Sequence, residues 1–88
     1  MRQSSLASIG QTVRQTRREK RLSQDRLSEL SGVSRARIAA LEGDKIADIT
    51  FGNLLAILHA LDLDLRVVAL SRQRPTLEDL QAEQGDET

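Results

Sequence analysis

The segment from Leu22 to Lys45 constrains the fold more than any other part of the chain, because it has the signals of two short helices joined by a tight turn. Ser23 and Ser34 each precede a helical pattern, and a serine hydroxyl can accept hydrogen bonds from the free N–H groups of a helix's first turn. Gly32 lies between the two patterns, where a residue able to adopt positive φ is needed. We therefore expect a helix, a glycine turn and a second helix within these residues.

Apolar residues at helical spacing extend this pair to a four-helix unit. The sequence predicts helices over residues 5–21, 24–31 and 35–42, the third ending at Gly43, and a fourth helix capped by Thr50. The residues expected to form one compact core are Leu6, Ile9, Val13, Leu27, Leu30, Ile38, Leu41, Leu54, Ile57, Leu58 and Leu61. A chain of 88 residues with one such core is marginally stable, so association with a second copy is an expected supplement.

The composition argues against several kinds of chemistry. The chain has no cysteine, so neither a disulfide nor a thiolate metal site is available. Its single histidine, His59, has no second ligand at a suitable spacing, and tyrosine and tryptophan are absent. We therefore expect no enzyme activity, metal or cofactor. The first 25 residues lack a signal-peptide core, and no stretch approaches the roughly 20 apolar residues of a membrane span, which predicts a cytoplasmic protein.

The charges are unevenly distributed, although the formal net charge is zero. Residues 1–45 contain ten lysines and arginines against five acidic residues, whereas residues 46–88 contain three arginines against eight acidic residues. A basic half suits a polyanion, and an acidic end suits solvation or a basic protein partner. Because many such charges only solvate helix faces, the placement of the basic residues around the helix pair is what favours nucleic acid.

Arg35 and Arg37 occupy the first and third positions of the second helix of the pair, beside the partial positive charge of its N-terminus. The helix dipole disfavours each arginine there by roughly a few tenths of a kcal/mol. Phosphate groups near this helix end would reverse the sign of the interaction. The mismatch therefore predicts an anion outside the chain.

The hydropathy period changes after the fourth helix, where residues 62–70 have the sequence DLDLRVVAL. Alternation of apolar with charged residues is typical of a half-buried strand. No other segment looks able to pair with it, so an antiparallel ribbon across a two-fold axis is predicted. The alternatives are that the segment continues the fourth helix or lies irregularly on the core. The predicted dimer contacts are Leu63, Leu65, Val67, Val68 and Ala69.

The helix pair resembles helix-turn-helix proteins of the Xre or lambda-repressor type. The residues that carry the resemblance, by order and spacing, are Gln24, Ser28, Gly32, Ile38, Leu41 and Glu42. It implies a mainly α fold, in which a compact four-helix DNA-binding domain is followed by one short β-strand that forms the intersubunit ribbon of a dimer. Arg17 and Glu42 resemble a family ion pair that ties the first helix to the end of the third. Ser28 replaces the usual alanine, and we expect its hydroxyl to bond to a carbonyl of the preceding turn.

The resemblance places the third helix in the major groove of double-stranded DNA, with its N-terminal residues toward the base edges. Arg35 is the first candidate for base readout, because a guanidinium can donate two hydrogen bonds to guanine. Ala36 resembles a family position that faces the bases. Arg37 could reach either the bases or the backbone, and a phosphate contact is favoured. Ser34 could combine capping with a base or phosphate contact, and the small Ala40 permits close approach.

Four further residues are predicted to contact the DNA backbone. Gln24 resembles the family glutamine that binds a phosphate, with donors added by Ser23 and the helix N-terminus. Lys45 and Asn53 could extend this clamp from the following loop and from the fourth helix.

A fourth helix followed directly by a short strand narrows the resemblance to HipB-type antitoxins. Such autorepressors dimerise through a small β-lid and hold a HipA-type Ser/Thr kinase toxin, so the resemblance implies a palindromic operator, a homodimer and a kinase partner. The predicted organisation is a helix-turn-helix domain at 1–62, with the motif at 23–42, a dimerisation strand at 63–70 and an acidic flexible tail at 71–88. A stand-alone regulator without a toxin partner, or a plain protein-interaction module, is the alternative.

Overall fold

The computed structural model describes residues 4–70, and the tail predicted at 71–88 lies outside the described residues. Four helices are present in the described part: α1 (Leu6–Glu19), α2 (Gln24–Ser31), α3 (Arg35–Glu42) and α4 (Phe51–Ala60). The predicted bounds of α2 and α3 are confirmed, whereas α1 spans Leu6–Glu19 rather than residues 5–21. The mainly helical, four-helix fold is therefore confirmed.

A hydroxyl side chain caps the N-terminus of each helix. The hydroxyl oxygens of Ser5, Ser23, Ser34 and Thr50 each accept a hydrogen bond from the backbone N–H three residues later. At α1 the arrangement is reciprocal, because the backbone N–H of Ser5 donates to the Ser8 hydroxyl at 2.9 Å. The two serine caps predicted within the helix pair are confirmed.

Three helices end through a residue other than glycine in the left-handed region. Arg21, Asp44 and Asp62 have φ values of 58°, 56° and 60°, and they follow α1, α3 and α4. In each case the N–H of the next residue donates to the carbonyl five residues earlier, at 2.8 to 3.0 Å, which satisfies a free carbonyl of the last turn. Gly43 caps α3 but keeps a φ of −90°, so the left-handed step falls on Asp44.

The turn between α2 and α3 is closed by hydroxyl groups as well as by glycine. Gly32 has a φ of 75°, which confirms the predicted positive-φ turn. The Ser28 hydroxyl donates to the carbonyl oxygen of Val33 at 2.6 Å, and the Val33 N–H donates to the Ser31 hydroxyl at 3.1 Å. The expectation that Ser28 would bond back to the preceding turn is wrong. The side chain instead satisfies a carbonyl that the turn would leave without a partner.

The core lies where α2 packs against α3 and α4 and where α1 packs against α3. The prediction that Leu30 faces inward is wrong, because 47% of the residue is exposed. Leu27 and Val33 supply the buried apolar surface at this end of α2 instead, so Leu30 falls at the edge of the buried stripe. The buried hydrophobic residues are Val13, Leu27, Val33, Ile38, Leu41, Leu54, Ile57, Leu58 and Leu61.

Helix α1 crosses the C-terminal end of α3 at Gly10. A Cβ at this position would overlap the carbonyl oxygen of Leu41 and come within 3.6 Å of the Glu42 Cα. The two helices therefore meet backbone to backbone, which only a residue without a side chain permits. This contact fixes the distance between α1 and α3.

Residues 63–70 leave α4 at the left-handed Asp62 and form no regular element, so continuation of the fourth helix is excluded. Leu63 and Leu65 are half-buried and pack on the core, whereas Val67 is 99% exposed. Within residues 4–70 no strand is present, so the intersubunit ribbon stays a prediction.

Substitution of Gly10 by alanine is expected to lower the free energy of unfolding by about 1 to 3 kcal/mol, because the added methyl group must push α1 away from α3. Gly52 in α4 is the matched control, since nothing lies within 4 Å of a Cβ built there. Gly52→Ala should leave the stability unchanged or raise it by up to about 1 kcal/mol. Urea unfolding followed by circular dichroism measures both, and equal effects would contradict the close crossing.

Candidate nucleic-acid interface

The outer side of α3 is a ridge of small residues between two grooves. Ala36 and Ala39 are exposed and Ala40 is half-buried, so no large side chain stands above the helix backbone along this ridge. Arg35 and Arg37 are exposed at the N-terminal end of the same helix. The arrangement leaves a narrow, accessible helix face with cationic groups at one end.

The first groove, which we call the α3/α4 groove, separates this ridge from the start of α4. Ala36, Arg37 and Ala40 line one wall, Thr50 and Asn53 stand on the other, and Ile46, Asp48 and Ile49 complete the lining. The backbone N–H of Asn53 donates to the Thr50 hydroxyl at 3.2 Å, which holds this first turn of α4 in place. The structure thus brings three of the residues predicted on α3 together with Asn53, while Lys45 is exposed and does not line the groove.

The second groove, the α1/α3 groove, lies on the other side of the ridge. Its walls carry three arginines from α1, the amide of Gln24 and the end of α3. The lining residues are Arg14, Arg17, Arg18, Gln24, Ala39, Glu42 and Gly43. The candidate phosphate ligand Gln24 and the candidate phosphate ligand Asn53 therefore lie on opposite sides of α3.

A buried carboxylate organises the α1/α3 groove. Arg17 donates from Nε to Glu42 Oε2 at 2.8 Å and from Nη2 to Glu42 Oε1 at 2.9 Å, so the pair is bidentate. Its side chains are only 11% and 4% exposed. Arg17 Nη1 also donates to the Leu22 carbonyl at 2.7 Å, and Gln24 Nε2 donates to Glu42 Oε1 at 3.2 Å. One carboxylate thus joins α1, α2 and α3.

The hydrogen bonds of this network determine the ionisation of Glu42. Burial by itself raises the pKa of Glu42, but the hydrogen bonds from Arg17 and Gln24 and the positive charges of Arg17 and Arg14 outweigh it. The pKa of Glu42 therefore lies below its usual range. The hydrogen bond with Glu42 raises the pKa of Arg17, against the effect of desolvation. Both groups are charged at neutral pH.

Arg35 has an anionic neighbour within the chain. Its Nη1 lies 3.4 Å from Oδ1 of Asp25 in the first turn of α2, and the Arg35 side chain is 62% exposed. An exposed pair of this kind contributes less than about 1 kcal/mol, so it offsets part of the dipole mismatch without blocking the guanidinium. Within residues 4–70 Arg37 has no such carboxylate, and its backbone N–H donates to the Ser34 hydroxyl at 3.3 Å.

The sequence predictions omitted two residues of this surface, Arg14 and Arg18. Both are exposed and line the α1/α3 groove beside Gln24. Their separation of four residues puts them on one helix face. That spacing was a usable signal, but the groove itself arises only where α1 crosses α3.

His59 is exposed and pairs with Asp64 through a 3.1 Å contact between Nε2 and Oδ1. This hydrogen bond and one from the Leu65 backbone lower the pKa of Asp64. Among residues 4–70 no three His, Asp or Glu side chains are grouped as a metal site would require. The same part of the chain has no helix that is both long and apolar enough to cross a membrane.

The four helices and the α2–turn–α3 geometry define a helix-turn-helix protein, the class in which a short second helix is presented on a compact helical core. A family model described as a helix-turn-helix domain matches residues 10–69, which is more than half of the chain. The chain therefore belongs to the helix-turn-helix domain family, in agreement with its Xre-like resemblance. A comparison with curated proteins gives no match.

Glu42→Gln is expected to lower the free energy of unfolding at pH 7 by about 3 kcal/mol, because Arg17 keeps a buried charge without its carboxylate. Since the pKa of Glu42 is lower in the folded chain, its stabilisation is present above the unfolded-state pKa and is lost as the pH falls through the folded-state pKa. The difference from the unsubstituted chain should therefore shrink in acid.

Glu29→Gln is the control for this measurement. Glu29 pairs with Arg26 at 3.6 Å on the exposed side of α2, so its loss should cost less than about 1 kcal/mol. Urea titrations at several pH values compare the two variants. A Glu42→Gln effect as small as that of Glu29→Gln would contradict the role of the buried carboxylate.

Proposed function

We propose that the protein is a sequence-specific repressor that binds double-stranded DNA with α3 in the major groove. The observation that carries the proposal is the small-residue ridge of α3 between two grooves whose far walls hold hydrogen-bond donors. A helix fits the major groove, which is about 12 Å wide, and the two phosphate backbones then stand on either side of it. The family match supports DNA binding by this class of fold.

Base readout is assigned to the N-terminal half of α3. Arg35 would donate two hydrogen bonds to a guanine edge, with Asp25 limiting the positions of the guanidinium before binding. Ala36 would contact a thymine methyl group, and the Ser34 hydroxyl would bond to a base or a phosphate. Ala40 would allow the backbone of α3 to approach the bases closely.

Backbone contacts are assigned to both grooves. Gln24, held by Glu42, would donate its second amide hydrogen to a phosphate, and Ser23 lies beside it at the start of α2. Asn53 and Arg37 would contact the opposite strand across the α3/α4 groove. Lys45 would add a charge from the turn after α3. These contacts fix the orientation of α3, while Arg35 and Ala36 discriminate between bases.

A homodimer is the second part of the proposal. Val67 is 99% exposed, and Val68 and Leu70 are also exposed. Within residues 4–70 this segment pairs with no strand, and single chains seldom leave such a segment bare. Leu63 and Leu65 already pack on their own core, so the contacts available to a second copy are concentrated at Val67, Val68 and Ala69. A two-fold ribbon there would give a palindromic operator.

The antitoxin role rests on the resemblance to HipB-type proteins alone. Under this hypothesis the dimer represses its own operon, acts in the cytoplasm and binds a HipA-like kinase. A kinase encoded next to this gene that co-purifies with the protein would support this step, and its absence would favour the stand-alone regulator. A plain protein-interaction module is the alternative if DNA binding fails.

Selection from a random duplex library should yield a palindromic site that binds at least about 10³-fold more tightly than its shuffled version. Arg35→Ala should weaken binding to the selected site by about 5- to 150-fold, because it removes a bidentate base contact, and should change binding to shuffled DNA far less. Fluorescence anisotropy at fixed salt measures both.

Arg26→Ala is the control for Arg35, since Arg26 is also an exposed arginine with a carboxylate neighbour, but it lies on α2 and not on the helix proposed to enter the major groove. It should leave the ratio between selected and shuffled DNA unchanged. Equal binding of the unsubstituted protein to both duplexes would overturn the proposal that it binds DNA sequence-specifically.

Val67→Pro is expected to weaken the dimer, because proline removes a backbone donor from the proposed ribbon. Val67→Thr keeps this donor and the branched shape, so it should dimerise more strongly than the proline variant. Sedimentation equilibrium over a concentration series measures both. An unchanged dimer in Val67→Pro, or a monomeric unsubstituted chain at high concentration, would contradict the ribbon.

A further inference from the structure

We infer that Arg14 and Arg18 of α1 form a phosphodiester-binding site in the α1/α3 groove, in addition to the contacts assigned above. The inference rests on the proposed DNA binding and extends it to a helix that none of the preceding assignments uses. It concerns sequence-independent affinity, because a phosphate contact carries no base information.

Arg14 and Arg18 stand beside the helix that is proposed to enter the major groove. Arg14 and Arg18 lie one turn apart on the same face of α1, and both line the groove whose other walls are Gln24 and Ala39. Ala39 belongs to the ridge that would enter the major groove. A helix docked through this ridge therefore presents the α1/α3 groove to one of the two adjacent backbones.

The charges in the α1/α3 groove also favour an anion. Arg17, which lies between the two in sequence, is neutralised by Glu42, and both oxygens of that carboxylate already accept hydrogen bonds. Within residues 4–70 neither Arg14 nor Arg18 forms a salt bridge, whereas Arg26 and Arg35 do. Two exposed guanidinium groups beside a carboxylate that is already paired with Arg17 give this groove a net positive charge.

The donor groups in the α1/α3 groove suit a phosphodiester. A guanidinium matches the geometry of a phosphate oxygen pair, and a groove that combines two of them with an amide donor suits an extended anion. The backbone of the duplex that α3 reads supplies such an anion without any further partner. The site would widen the footprint of each protomer along one strand.

The test measures how binding to a random-sequence duplex depends on salt. Each phosphate contact contributes about −0.9 to the slope of log K against log salt, so Arg14→Gln and Arg18→Gln should each reduce its magnitude by about that amount. Each should also weaken binding by about threefold to tenfold at roughly 0.1 M salt, for selected and shuffled duplexes alike. Arg14→Lys and Arg18→Lys should retain the slope.

Arg26→Gln makes the same change of charge outside both grooves and should alter neither quantity beyond a small general effect. Slopes for Arg14→Gln and Arg18→Gln equal to that of Arg26→Gln would overturn the site while leaving the proposed function intact. Failure of the unsubstituted protein to bind any duplex would instead overturn the proposed function. Circular dichroism verifies that each variant is folded, and a variant that fails this check is replaced by the corresponding alanine substitution, which removes the same charge with a higher helix propensity and should reduce the magnitude of the slope equally.

Discussion

The bidentate contact between Arg17 and Glu42 is the interaction on which the remaining structure depends. It ties α1 to the end of α3, and the side chains of both residues are almost fully buried. Removing one partner of such a pair lowers the free energy of unfolding strongly, whereas replacing both by well-packed apolar residues can leave it unchanged. The pair therefore contributes to the specificity of the helix arrangement as much as to its stability. Because Glu42 also accepts from Gln24, the same carboxylate sets the position of α2 relative to α3.

The close approach at Gly10 and the ion pair at Arg17 act at two points along α1. Together they fix the position of α3 along α1 and its rotation about its own axis. The hydrogen bond from the Ser28 hydroxyl to the Val33 carbonyl fixes the turn that leads into α3. The small-residue ridge and the two grooves follow from this placement. The candidate interface is thus a product of helix crossing, and the basic groups on α1 enter it only because α1 is held so close.

Local signals were sufficient to predict much of this architecture. The caps at Ser23 and Ser34, the turn at Gly32 and the bounds of α2 and α3 depend on residues within a few positions of each other, and these predictions are confirmed. Leu30 and Ser28 were misjudged because their environments depend on which neighbour packs across the turn. The pairing of Arg35 with Asp25 and the groove at Arg14 and Arg18 require the relative positions of three helices, which hydropathy periods do not contain.

The left-handed residues at the helix ends have a consequence for the protein's turnover. The left-handed conformation costs an ordinary residue roughly 1 to 2 kcal/mol of conformational energy, and it costs aspartate less. Arg21 is therefore the most strained of the three residues. Small domains are stable by only about 5 to 15 kcal/mol, and changes of about 1 to 2 kcal/mol alter cellular abundance several-fold. A residue that adopts the left-handed region without strain, such as glycine at position 21, would therefore raise the free energy of unfolding by an amount of the size that changes cellular abundance.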